Sequence, residues 1–136
     1  QLMASSDPIT INRVNTVAST GEKLILDLNN YQAESFDSTL DELQSLVSSS
    51  NFEVEIIANG NGVRALDARY SKHAQAISAM AERFDNLNVI VCAQTLSDFA
   101  STASPVDVLS DFITTRSAPY QVAKRTADGW LYLKLE

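Results

Sequence analysis

Apolar residues recur along this chain in two alternating rhythms: short, nearly continuous runs, and stripes spaced by three or four. The first run, Lys23-Leu24-Ile25-Leu26-Asp27-Leu28-Asn29, is almost unbroken, as suits a strand covered on both faces. A helix is expected from about Ser35, since Phe36, Leu40, Leu43 and Val47 fall at i, i+4, i+7 and i+11 on one face. Asp37, Asp41 and Glu42 lie in its first half, where the helix dipole favours acids. Ser48-Ser49-Ser50-Asn51 breaks it, and Phe52 to Ala58 reads as a second strand. Asn59-Gly60-Asn61-Gly62 then turns the chain into a second helix ending at Phe84, with Tyr70, Ala74, Ile77, Met80 and Phe84 along its stripe. Asp85-Asn86-Leu87 closes that helix. The third strand runs through Asn88-Val89-Ile90-Val91 to Cys92, with Ala93-Gln94-Thr95-Leu96 after it and a polar loop beyond.

The remainder keeps the alternation. Ser104-Pro105-Val106-Asp107 carries the cap residue, first-turn proline and acid of a helix start, and the helix it opens is short. Phe112 to Thr115 reads as a fourth strand, and Ser117-Ala118-Pro119 opens another short helix that Asp128-Gly129 ends. In a last strand from Trp130 to Leu135, Leu131, Leu133 and Leu135 share one face, and Trp130, Tyr132 and Lys134 the other. Strands alternating with helices predict an α/β fold, a three-layer α/β/α sandwich around a mostly parallel sheet of about five strands. Residues 1–22, rich in Ser, Thr and Asn, read as an amino-terminal arm in which Ile9, Ile11 and Val14 could make a brief edge strand. Residues 23–136 read as a single α/β domain without internal repeats.

Composition narrows the function classes. The chain has 136 residues, 45% of them hydrophobic, which is enough for one real core. Ten basic residues against seventeen acidic ones give a net charge of -7, a field that disfavours nucleic acid and anionic lipid as partners. No apolar run approaches the roughly 20 residues of a membrane span. The Ser- and Thr-rich arm, and a start at Gln1 instead of Met, favour an exported, periplasmic protein over a cytoplasmic one.

Cys92 is the single cysteine, so it has no internal disulfide partner. It ends a buried strand, at the edge of an α/β sheet where ligands and reactive groups collect. Just before a helix, the backbone N–H groups of Ala93, Gln94 and Thr95 and the Thr95 hydroxyl would lower its pKa towards the nucleophilic thiolate. Free cysteine is equally one of the most buried residue types, so a reactive and a structural Cys92 both fit the sequence. Asn59, Gly60, Asn61 and Gly62 are accounted for as a tight turn. The turn should share the carboxyl-end edge with Cys92, where its N–H groups could meet an anion or a bound sulfur species. Arg64 and Arg69, just beyond it, are the bases best placed to supply positive charge near the thiol.

His73, the lone histidine, sits beside an apolar stripe and reads as a packed side chain more readily than as an acid or base. No Cys/His cluster suggests zinc, and Asp67, Asp85 and Asp98 are too dispersed for a carboxylate site, so neither a metal nor another cofactor is expected. No serine sits in a nucleophile elbow. Trp130 and Tyr132 would offer a self-association face if exposed, and otherwise pack under a helix.

The order strand, helix, Ile56-Ile57-Ala58-Asn59-Gly60-Asn61-Gly62-Val63, helix, Val89-Ile90-Val91-Cys92-Ala93-Gln94-Thr95-Leu96 and terminal Gly129-Trp130-Leu131-Tyr132 resembles the DsrE/DsrF-like family of small α/β/α sulfur-relay proteins and functionally unassigned relatives. The resemblance spans roughly residues 23–135. It implies a persulfide carried at the position of Cys92, a sulfur donor or acceptor protein as partner, sulfurtransferase-like activity, and assembly into homo-oligomers, trimers or hexamers. Relay members follow their cysteine with basic residues and a glycine, whereas Ser97-Asp98-Phe99-Ala100-Ser101 follows here, and the arm before Lys23 is longer than theirs. Both departures are closer to the unassigned, in part exported, branch. The alternative is a non-catalytic oligomeric binding or scaffold protein with a buried structural cysteine.

Overall fold

Three nearly continuous apolar runs supply the centre of the sheet, and a short strand and an alternating one form its edges. The computed structural model describes residues 23–48, 52–102, 106–108 and 113–135. Its strands are β1 (Lys23–Leu28), β2 (Glu53–Ala58), β3 (Leu87–Cys92), β4 (Ile113–Arg116) and β5 (Leu131–Leu135). They pair in the order β4-β3-β2-β1-β5, every pairing parallel. The helices are α1 (Ala33–Ser48), α2 (Ala74–Arg83), α3 (Ala93–Ala100) and α4 (Ala118–Ala127), with a 3-10 helix over Gly60–Leu66. The fold is the three-layer α/β/α sandwich expected from the alternation.

Both faces of the central strands are buried, which is why β1, β2 and β3 read as nearly continuous apolar runs. On one face Leu24, Leu26, Val54, Ile56, Val89 and Val91 meet Phe36, Leu43, Leu46 and Val47 of α1 and Ile77 and Met80 of α2. On the other, Ile25, Ile57, Ile90 and Cys92 meet Ala118, at the start of α4, and Trp130. Each such aliphatic side chain contributes about 1.5–3 kcal/mol on burial. From β1 to β4 the chain steps across the sheet in one direction, and right-handed crossovers keep those connections on one side. To place β5 beside β1 it must return across the whole sheet, and this reversal sends α4 to the opposite face. The connections leaving β3 and β4 therefore diverge, and the sheet has its topological switch point between those two strands.

Polar side chains fasten these layers. Glu55, buried on the α4 face, accepts from Gln121 Nε2 at 2.9 Å and from Arg125 Nε and Nη2 at 3.0 and 2.7 Å, joining β2 to α4. Arg125 also lies over the Trp130 ring at 4.7 Å. The Asn86 amide donates to the carbonyls of Val47 and Phe52, linking the end of α1 to the approach to β2. Among the described residues no buried side-chain nitrogen or oxygen lacks a hydrogen-bond partner.

The structure departs from the sequence expectation mainly between residues 59 and 84. The expected second helix is divided: the 3-10 helix ends at Leu66, Asp67 forms an antiparallel bridge with Val108, and α-helix resumes only at Ala74. The Asp67 carboxylate accepts from Arg64 and from the backbone N–H groups of Arg69 and Asp107. These bonds give the backbone an alternative to a helical ladder. Tyr70, expected on a buried stripe, is 65% exposed. Smaller shifts occur at ends. α1 starts at Ala33, β3 already includes Leu87, and the segment after Leu96 is helical to Ala100 instead of looped. β4 extends to Arg116, and β5 starts at Leu131 because the Trp130 N–H is used on the Arg125 carbonyl. Trp130 is buried and Tyr132 half-buried, so they form no open aromatic face. Ser104 and Pro105 of the expected helix start, Phe112 of the fourth strand, and Ile9, Ile11 and Val14 of the arm lie outside the described residues; Val106 and Asp107 are not helical.

The Glu55–Arg125 joint predicts an asymmetry between two substitutions. Arg125→Met strands a buried carboxylate and should cost about 3–5 kcal/mol. Glu55→Gln leaves Arg125 at the rim of the pair, where its charge reaches water, and should cost about 1.5–3 kcal/mol. Urea unfolding of the two variants checks the order.

Candidate functional site

β3 delivers Cys92 to the carboxyl edge of the sheet, where it becomes the N-cap residue of α3. Its neighbour in register on β4 is Arg116, an exposed residue, and Ser117 next along caps α4 by accepting from the Tyr120 N–H. Cys92 thus lies at the switch point, between the starts of two helices that leave on opposite faces. Its side chain packs on the α4 side with Ile25, Ile57, Ile90, Ala118 and Trp130, and the residue is only 5% exposed.

That burial pushes the thiol pKa up, because a thiolate is poorly solvated there. The opposing influences prevail: the backbone N–H and hydroxyl of Thr95, then the N–H groups of Ala118 and Gln94, hold the Cys92 thiol below its ordinary value. The side chain makes no cap hydrogen bond to α3, so these donors act by favouring the charged form. Gln94 and Thr95 belong to α3 and Ala118 to α4; two helix amino termini converge on one sulfur. Ala93, although first in α3, is not among the leading contributors.

The turn after β2 reaches this site through Thr95. The Gly60 N–H donates to Thr95 Oγ1 at 3.1 Å, which ties the turn to the hydroxyl that helps to hold the Cys92 thiol below its ordinary value. Gly60 has φ +53°, which glycine adopts without penalty. At Gly62 a Cβ would lie 1.9 Å from the Leu28 carbonyl oxygen, so only glycine lets the 3-10 helix sit against the end of β1. Asn59 continues β2 in extended backbone and its amide donates to the buried Asp27, which also accepts from the Tyr132 hydroxyl. Burial first, then the Asp27 hydrogen bond and charge, pushes the Tyr132 hydroxyl well above the usual tyrosine range. Asn59 and Tyr132 are therefore joints between strand ends. Asn61 is exposed and lies instead on a cleft with Arg64.

The basic residues are arranged differently from the sequence expectation. Arg64 bonds Asp67 at 3.3 Å and stacks over Phe99 at 4.3 Å and Tyr70 at 5.6 Å, and it is not a leading influence on the thiol. Arg69 pairs at 4.0 Å with Asp107. Arg116 and Ala118 were missed by sequence reasoning. The Ser117-Ala118-Pro119 cap signal marked a helix start, but nothing local says which strand end that start faces.

His73 is 4% exposed and sits just ahead of α2. Its Nε2 lies 2.7 Å from Asp37 Oδ1 and its Nδ1 2.7 Å from the Tyr31 hydroxyl, which accepts from Ser71 Oγ. Every partner is satisfied if Nε2–H donates to Asp37 and Tyr31 donates to Nδ1. The His73 hydrogen bond, aided by the charge of Lys72, holds the Asp37 carboxyl below its ordinary value. Among the described residues no cluster of His, Cys, Asp and Glu could hold a metal ion, and no helix is long and apolar enough to cross a membrane.

No protein-family model and no curated protein sequence matches the chain. Solved structures do. MTH1491 of Methanobacterium thermoautotrophicum, a protein of unknown function, superposes with a TM-score of 0.67 at 17% identity, over 83% of this chain and 98% of that one. The ychN protein of E. coli gives a TM-score of 0.59 at 16% identity, over 84% of this chain and 98% of that one. The fold is that of the DsrE/YchN-like proteins. At these identities the likeness concerns the fold alone, and the chemistry must be argued from this chain's own residues.

The donor set around Cys92 predicts the pH dependence of its alkylation. A lowered pKa means that the thiolate fraction, and with it the rate, rises at lower pH than for a free cysteine. Thr95→Val removes the hydroxyl and should move the profile to higher pH, with several-fold slower alkylation near neutrality. The midpoint of an iodoacetamide pH–rate profile checks this, because the pKa sets the midpoint whereas restricted access of the reagent to the sulfur scales only the amplitude.

Proposed function

We propose that this protein is a DsrE-like sulfur carrier in which Cys92 holds a persulfide. The observation that carries the reading is the convergence of α3 and α4 on one sulfur, with the Thr95 hydroxyl oriented by Gly60. The fold shared with MTH1491 and ychN supports it at the level of architecture.

The chemistry asks little of other side chains. The Cys92 thiolate attacks the outer sulfur of a donor persulfide R–S–SH; the new S–S bond forms as the donor's breaks, and its electron pair leaves with R–S⁻. The product, Cys92–S–SH, loses its proton readily, and the N–H groups that favour the thiolate would favour the persulfide anion as well. An acceptor thiolate then takes the outer sulfur and regenerates the Cys92 thiolate. No net oxidant or reductant is required. Cys92 is the chain's single cysteine, so both transfers occur between chains and require a donor and an acceptor thiol on partners. Homo-oligomeric assembly, as the family resemblance implies, belongs to this reading.

The burial of Cys92 favours a second reading, a non-catalytic oligomeric scaffold whose cysteine is a small core residue. Incubation with an organic persulfide followed by intact-mass measurement separates the two. The carrier gains the mass of one sulfur, reversibly with added thiol, and Cys92→Ala gains none. An unchanged mass, together with alkylation of native Cys92 only on unfolding, would establish the scaffold.

A further inference from the structure

Arg116 ends β4, an edge strand of the sheet, and lies in register with Cys92 on β3. Adjacent strands are about 4.8 Å apart, and residues in register send their side chains to the same face. The Cys92 side chain lies on the α4 face, so Arg116 leaves the sheet on that face too, one strand further out. Inward of the sulfur stand Ile25, Ile57, Ile90 and Trp130, and towards β2 the Gly60 N–H is bonded to Thr95. On the β4 side the chain is exposed at Thr115, Arg116 and Ser117, and beyond them at Pro119 and Tyr120. Arg116 carries the only charge in that run. Its guanidinium joins no ion pair or hydrogen bond among the described residues, and it is not a leading influence on the thiol. Asp98, the one acid of α3, accepts from the Gln94 amide at 2.9 Å and lies about 9 Å along a helix on the opposite face.

We propose that Arg116 selects the sulfur compounds that exchange with Cys92, by binding a carboxylate next to their reacting sulfur. The assignment rests on the carrier reading of Cys92 and names its substrate class, an anionic persulfide or thiol. A guanidinium pairs with a carboxylate in a planar, charge-assisted contact, and an exposed one gives up no internal partner to do so. In a chain of net charge -7 the wider field repels anions, so a cation beside the thiol is what allows them to be preferred. The transfer itself is unaltered. The Cys92 thiolate bonds the outer sulfur of R–S–SH, the donor's S–S bond breaks, and its electron pair leaves with R–S⁻ while Arg116 holds the carboxylate of R. Cys92 supplies the chemistry and Arg116 the specificity.

The test loads the full chain with the persulfides of mercaptopropionate, mercaptoethanol and cysteamine and follows intact mass at low salt, each rate taken relative to a free cysteine peptide. The carboxylate donor should load about three- to tenfold faster than the neutral one, and the ammonium donor slowest. Arg116→Gln should bring the three rates together, and Arg116→Lys should keep most of the preference. Lys124→Gln removes another exposed cation of α4 and should leave the order unchanged. Peptide persulfides with glutamate or glutamine beside the cysteine separate the sources: a preference confined to them assigns the carboxylate to a partner protein, and one confined to the small donors assigns it to a small molecule. The ratio of Cys92 alkylation by iodoacetate to that by iodoacetamide reads the same charge without any persulfide. It should fall about three- to tenfold in Arg116→Gln, with an unaltered thermal midpoint. Equal loading by all donors, or an unchanged alkylation ratio, would overturn the proposal and leave the carrier reading standing. Loading by none of them would overturn both.

Discussion

The position of Gly62 against the Leu28 carbonyl governs the carboxyl edge of this molecule. A side chain there would enter the space of the β1 backbone, so the 3-10 helix that follows β2 can lie across the strand ends only because residue 62 has none. Three contacts depend on that placement. Asn59 locks to Asp27 at the end of β1, Gly60 donates to Thr95, and Arg64 lies on Phe99. The same short segment thereby fixes the first turn of α3, which helps to charge the thiol, and forms one side of the cleft. Phase and spacing follow from α3 itself, since Thr95 and Phe99 are one turn apart on one face.

The sheet reversal explains the remainder of the thiol environment. Because the chain must cross back from β4 to β5, α4 begins beside the start of α3 and on the other face. A cysteine at that point receives N–H groups from both helices while its body remains among Ile25, Ile57, Ile90 and Trp130. Burial and activation therefore oppose each other at Cys92. The low-dielectric surroundings that penalise an isolated thiolate also strengthen each donor aimed at it. The buried Glu55–Arg125–Gln121 joint has a related role at a distance, since it anchors the helix whose first turn supplies the Ala118 N–H.

Local sequence carried much of this. Nearly unbroken runs such as Lys23 to Leu28 and Val89 to Cys92 suit strands covered on both faces, and strands separated by helical stripes lead to a parallel sheet between helices. The alternation of Leu131, Leu133 and Leu135 against Trp130 and Tyr132 assigned the faces of β5, as the two clusters of buried residues show. A lone cysteine ending a strand, followed by a threonine three residues on, was enough to point at the carboxyl edge and at the Thr95 donor.

Long-range contacts decided the rest, because their partners lie tens of residues apart and leave no periodic trace. The stripe from Tyr70 to Phe84 obeys a helical period, yet Asp67 bonds Val108 and Asp107 and breaks the helix before it. Arg64 and Arg69 stood near the thiol by their sequence neighbourhood, while tertiary structure gave Arg64 to Asp67 and Phe99 and put Arg116 in register with Cys92. His73 likewise needed Tyr31 and Asp37, 42 and 36 residues away, before its ring atoms had partners. The sequence by itself determined the elements, their alternation and the edge on which chemistry would collect, since these depend on each residue's near neighbours. The chain reversal and the close approach at Gly62 decided which amides, which cation and which rings share that edge, since those neighbours exist only once the sheet has formed.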